Sequence, residues 1–138
     1  MADKLNQVAI RMIEQPPLLS KEPMDSPEAA IRVMQEFLSE MDRELFCIVN
    51  LQSDLKPINM NIVSVGALNQ SLTHPREVFK SAILSNAAGI LMIHNHPSGN
   101  LAPSKEDIYI TDRLRQAGEP LGIPLFDHII TGREKEYF

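Results

Sequence analysis

Two runs of apolar residues leave no polar face on the segments that carry them. One is Leu45-Phe46-Cys47-Ile48-Val49-Asn50-Leu51, which follows Glu44. The other is Gly89-Ile90-Leu91-Met92-Ile93. A strand with one face in water alternates apolar and polar residues, whereas a continuous short run suits a strand covered on both sides. Residues 44–51 and 89–93 therefore read as buried strands, and the rest of the chain has to supply the layers that cover them.

Those layers are visible. Residues 26–42 read as a helix, capped by Asp25 or Ser26 with Pro27 in its first turn, and Ile31, Met34, Phe37, Leu38 and Met41 share one face. Residues 58–66 alternate (Ile58, Met60, Ile62, then Val63 and Val65) and end at Gly66, which predicts a hairpin partner for the 44–51 strand. Thr73-His74-Pro75 opens another helix with Val78, Phe79, Ala82, Ile83 and Ala87 as its apolar face. Ser104 caps a helix running to Gln116 or Ala117, with Gly118 at its end and Pro120 beyond. Ile123 to Ile130 reads as the last clear strand, and Tyr137-Phe138 as the start of a further one. Residues 6–13 alternate loosely and read as a strand. A helical spacing through Leu5, Val8, Ala9 and Met12 competes with that, and Pro16-Pro17 ends either element. Strands interleaved with helices predict one α/β (α+β) sandwich. The organisation expected is an N-terminal strand and linker over 1–25 and a single domain over 26–138.

With 138 residues, 43% hydrophobic and 22% charged, the chain is ordinary globular material for one domain. A net charge of −5 argues against direct nucleic-acid contact, which needs a basic footprint. No apolar run is long enough to span a bilayer, and Met1 to Asn6 show no secretory signal, so a cytoplasmic location is expected. A single cysteine excludes an internal disulfide framework and a multi-cysteine zinc cluster. Cys47 lies in an apolar run and reads as a small buried hydrophobe.

The chemistry concentrates between His94 and Asp107. Alternation along a strand aims His94 and His96 the same way, at the end of a buried strand. Pro97-Ser98-Gly99 turns the chain, Ser104 starts the next helix, and Asp107 lies in that helix's first turn, where the dipole favours a carboxylate. Two imidazoles and one carboxylate make a zinc ligand set with the fourth position open to water. Other histidines read differently. His74 opens a helix or turn. His128 and Asp127 fall on opposite faces of the last strand, so they cannot both line a site, and a structural role is favoured for His128 over a supporting one at the metal. Asn95 has to point away from its flanking histidines and reads as a packing residue or a local hydrogen-bonder.

His94-x-His96, seven intervening residues, Ser104, two more, then Asp107 is the JAMM signature of the JAB/MPN metalloprotease superfamily. The words Gly66-Ala67-Leu68-Asn69-Gln70-Ser71-Leu72, His74-Pro75-Arg76-Glu77-Val78-Phe79-Lys80, His94-Asn95-His96-Pro97-Ser98-Gly99 and Asp127-His128-Ile129-Ile130 closely resemble RadC-like JAB domains over about residues 26–138. The resemblance implies a JAB/MPN, cytidine-deaminase-like sandwich, a central mixed β-sheet flanked by helices with zinc at one strand end. It implies His94, His96 and Asp107 as ligands of Zn2+ and Ser104 as the residue supporting the oxyanion. It also asks for a catalytic glutamate where a helix gives way to a buried strand. Glu44 occupies that place, with Glu77 as competitor, and Glu44 is favoured because a strand-initial carboxylate can enter the same cleft as His94.

The activity implied is a zinc-dependent metallopeptidase-like hydrolase, in which zinc-activated water attacks a peptide or isopeptide carbonyl of a peptide or protein substrate. The alternatives are a DNA-repair accessory of the RadC kind and a non-catalytic JAB binding module. The helix-hairpin-helix of longer family members does not occur in these residues, and the acidic balance gives DNA binding little support. The letters His-Asn-His also suggest an HNH nuclease, but those enzymes spread the three residues over separate elements. A zinc deaminase needs paired cysteines and an H-x-E word, and neither occurs. Nor does a GxGxxG or HExxH motif.

Overall fold

The computed structural model describes residues 3–66 and 73–132. Helix α1 spans Pro27–Ser39, β1 Leu45–Leu51, β2 Pro57–Val65, α2 Pro75–Val78, α3 Lys80–Leu84, β3 Gly89–Asn95, α4 Lys105–Leu121 and β4 Leu125–Thr131. The strands form one sheet in the order β2-β1-β3-β4. β1 runs antiparallel to both neighbours, β3 and β4 are parallel, and the sheet is therefore mixed.

β1 and β3 are buried along their whole length, as their unbroken apolar runs require. Strand alternation sorts their side chains onto two cores. Leu45, Cys47, Val49, Leu91, Ile93 and Ile129 pack against Ala30, Ile31, Met34 and Leu38 of α1. Phe46, Ile48, Ile90 and Met92 pack on the other face against Val78, Phe79, Ala82, Ile110 and Leu114. The fold is thus the expected α/β sandwich, a mixed four-stranded sheet flanked by helices. Cys47 lies in the α1 core, fully covered, and burial pushes its thiol up to about 12.

Four local expectations are corrected. Residues 6–13 form no strand: Leu5, Val8, Ile10 and Ile13 stand exposed, since alternation alone supplies no partner edge. The first helix stops at Ser39, and Met41 follows it as a partly buried residue on the α1 core. The helix expected after Pro75 breaks into α2 and α3 around Phe79. Ile83 turns outward and Ala87 lies past the end. Finally, α4 runs through Gly118 and Pro120 and stops at Gly122, which caps it in the left-handed conformation at φ 69°. Gly118 serves packing: a Cβ there would lie 2.3 Å from the Ile123 carbonyl oxygen. Most of the word from Gly66 to Leu72 (residues 67–72) and the strand expected at Tyr137-Phe138 lie outside the described residues. No helix among the described residues is long and apolar enough to cross a membrane.

Candidate metal centre

The histidines stand at the C-terminal end of β3. His94 is fully buried, and the backbone N–H of His96 bonds Thr131 O at 2.8 Å, prolonging the β3–β4 ladder by one residue. The chain then turns through Gly99, whose φ of +85° suits glycine, and enters α4. Ser104 and Asp107 close a reciprocal cap there. Asp107 N–H donates to Ser104 Oγ at 3.0 Å, and Ser104 N–H donates to Asp107 Oδ2 at 2.8 Å. The cap holds the Asp107 carboxylate over the histidines.

His94 Nε2 lies 3.0 Å from His96 Nε2 and 3.2 Å from Asp107 Oδ1, while His96 Nε2 lies 3.2 Å from Asp107 Oδ2. Tetrahedral zinc with bonds of ~2.0–2.1 Å to nitrogen and oxygen sets its ligand atoms about 3.3 Å apart. Each imidazole nitrogen has the other, and one of the two Asp107 oxygens, at about that spacing, and one ligand atom from each residue lies within 4.8 Å of the others, a described group able to hold a metal.

Proton positions reinforce the fit. His96 Nδ1 is 2.7 Å from Asn100 O, and a carbonyl only accepts, so Nδ1 carries a proton, and in the neutral form of the ring the Nε2 lone pair turns inward. A cation is what such a meeting of lone pairs and carboxylate oxygens calls for. Burial raises the Asp107 carboxyl, but its contact with His94 and the hydrogen bond from Ser104 N–H outweigh it and hold the group well below the usual carboxylate range. Asp107 is therefore ionised and ready to ligate.

A cavity of about 350 Å³ opens beside these donors, lined by Glu44, His96, Ser98, Asn100, Ser104 and Asp107 among others. Glu44 immediately precedes β1, and its carbonyl accepts the Gly66 N–H at 2.7 Å. Glu77 lies in the first turn of α2, ion-paired with Lys80 at 2.9 Å, and does not line the cavity. His74 Nδ1 accepts the Arg76 N–H as the cap of α2, the turn role expected of it.

Two residues do more than the sequence predicts. His128, expected to be structural, sets its Nε2 2.8 Å from His94 Nδ1, directly behind the ligand set. The burial of His128, then its neighbour His94, pushes its pKa down to about 3, so it is neutral. The signal was its parity with Ile130 on the α4 side of β4, which says nothing of what stands opposite. Asn95 does point away from its neighbours, but its partners are not local: its carboxamide bonds Arg43 O and Leu45 N.

The profile of the RadC-like JAB domain family matches residues 24–138. A UPF0758 protein of Thermotoga maritima is 45% identical over 117 residues, covering 85% of this chain and 52% of that protein. A second, from Caldanaerobacter subterraneus, is 43% identical over 120 residues, covering 82% of this chain and 52% of the relative. A third, from Methanosarcina mazei, is 42% identical over 112 residues, with 81% and 49% covered. The chain spans about half the length of these curated relatives.

Proposed function

This chain belongs to the RadC-like JAB domain family, and on that premise we propose that it is a zinc-dependent hydrolase of peptide or isopeptide bonds. His94, His96 and Asp107 are the ligands, Glu44 is the general base and Ser104 the oxyanion donor. The observation that carries this reading is the convergence of His94, His96 and Asp107, one ligand atom from each within 4.8 Å of the others, beside a cavity lined by His96, Asp107, Glu44 and Ser104.

Zinc held by His94, His96 and Asp107 would supply a water of pKa lowered toward ~7 and a Lewis acid for the carbonyl. The remaining work falls to the chain. Glu44 accepts the water proton at its carboxylate and passes it to the leaving amine, the two halves of general acid–base catalysis. Ser104 Oγ accepts the Asp107 N–H with a lone pair, which leaves its O–H free to donate to the developing oxyanion. Capping and oxyanion support use different parts of the same hydroxyl and do not compete. The carboxylates of Glu44, Glu106 and Asp107 on the cavity wall favour an amine leaving group over a phosphate backbone.

The test is elemental analysis of the wild type and of a His94→Ala/His96→Ala pair, followed by peptide and isopeptide hydrolysis assays. About one zinc per chain, lost in the double variant, and hydrolysis lost in Glu44→Gln with zinc retained are expected. A Glu44→Gln protein that still hydrolyses removes Glu44 from the mechanism. A wild type that takes up no added zinc at neutral pH overturns the hydrolase reading and leaves a binding module.

A further inference from the structure

The ring behind His94 has a direction, and each atom in it can be assigned. Thr111 Oγ1 lies 2.7 Å from the Asp107 backbone carbonyl, which can only accept, so the threonine proton points there. Thr111 Oγ1 therefore meets His128 Nδ1 with a lone pair, and that nitrogen has to bear the proton. A neutral imidazole carries one N–H, so His128 Nε2 is an acceptor. It faces His94 Nδ1 at 2.8 Å, and His94 has to donate from Nδ1. A neutral His94, with its one N–H at Nδ1, is left with a bare Nε2, the atom that faces His96 and Asp107. The relay starts on the backbone of Asp107 and ends on a histidine that meets the Asp107 carboxylate. Phe46 closes the apolar side, its ring centroid 6.3 Å from that of His94 and 6.2 Å from that of His128.

We infer that His128, oriented by Thr111, is a positioning residue that locks His94 in the tautomer with Nε2 free, so that the site is preorganised for a metal before the ion arrives. The inference rests on the metal reading above for its purpose, but the tautomer itself is a property of the metal-free protein. Partners of this kind orient a ligating histidine and raise its basicity, and their loss typically weakens metal binding by roughly 10–100-fold.

Two readouts test it: long-range proton–nitrogen NMR of the histidine rings in metal-free protein at mildly alkaline pH, and zinc affinity by chelator competition. Wild type should show His94 protonated at Nδ1. His128→Leu, confirmed folded by thermal melting, should show a mixed or reversed His94 tautomer and bind zinc roughly 10–100-fold more weakly. His128→Gln keeps an acceptor toward His94 and a donor toward Thr111, and should stay within a few-fold of wild type. Thr111→Val frees His128 to switch tautomer and should weaken zinc, while Thr111→Ser should restore it. Should His128→Leu fail to fold, the comparison of Thr111→Val with Thr111→Ser carries the test. Wild-type His94 protonated at Nε2, or full zinc affinity in a folded His128→Leu or in Thr111→Val, overturns the inference. A wild type with the expected tautomer but no zinc uptake would sink the metal reading and leave the relay standing.

Discussion

Asn95 and Leu45 lie 50 positions apart in the sequence and are joined by a hydrogen bond of 2.7 Å, Leu45 N–H to Asn95 Oδ1. The other end of the same carboxamide donates to Arg43 O at 3.0 Å. One side chain therefore clamps the backbone on both sides of Glu44, and it does so from the position between the two metal-site histidines. The carboxylate at the cavity mouth and the imidazoles beneath it are registered to each other through Asn95.

Replacing Asn95 by Asp keeps the acceptor for Leu45 and loses the donor to Arg43, whose carbonyl would then face a carboxylate oxygen. The expected cost is about 1–3 kcal/mol, the usual penalty for leaving a buried polar group unpaired. Denaturant unfolding measures it. Zinc stoichiometry should be unchanged, because His94 and His96 point to the other face from Asn95, and an Asn95→Asp protein as stable as wild type would dismiss the clamp.

Ser104 separates into two roles by substitution. Ser104→Ala removes the cap and should lower stability by about 0.5–2 kcal/mol. Ser104→Asn can still cap α4 but has no hydroxyl for the oxyanion, so it should keep most of the stability and lose about 10²–10³-fold in turnover. Ser104→Thr should retain both. Melting curves and hydrolysis rates on the three variants would show whether the separation holds.

The metal-free protein should lose stability on mild acidification. His128 has its folded pKa depressed to about 3 by burial first and by His94 second. Below the ordinary histidine value of ~6.5 the unfolded chain binds a proton there that the folded chain refuses. Stability then rises with pH through that window, by up to about 1.4 kcal/mol per pH unit, and the contribution is flat above it. Urea unfolding of wild type against His128→Gln between pH 5 and pH 7 tests this, the variant showing the shallower dependence.

Gly118→Ala should destabilise the protein although alanine is the better helix former by ~1 kcal/mol. The added Cβ would sit 2.3 Å from Ile123 O and 3.3 Å from the Phe79 ring. Ile123 N–H also donates to Gly118 O at 3.0 Å, so the two segments cannot part without loosening that bond. Overpacking of this kind costs about 1–3 kcal/mol, and a net loss of about 1–2 kcal/mol by thermal melting is expected. An equally stable variant would mean that the α4–β4 turn yields more easily than its contacts suggest.

The covered strands, the capped starts of α1 and α4 and the grouping of His94, His96 and Asp107 were determined by the sequence itself. Each rests on interactions within a few residues: a period of two along a strand, a side chain reaching the N–H three positions ahead, a dipole acting on its first turn. Glu44 was singled out through the family resemblance, which asks for a glutamate where a helix gives way to a covered strand, and it lines the cavity. The tertiary structure alone decided that residues 6–13 find no strand partner and that Gly118 lies inside a helix. It also brought His128 behind His94 across 34 positions and closed Asn95 around Glu44. Those outcomes depend on the strand order β2-β1-β3-β4 and on the parallel register that sets Met92 beside His128 and His94 beside Ile130. No local period encodes which strand becomes a neighbour; that choice is made by burying both faces of the sheet at once, and the relay to His94 exists only after it has been made.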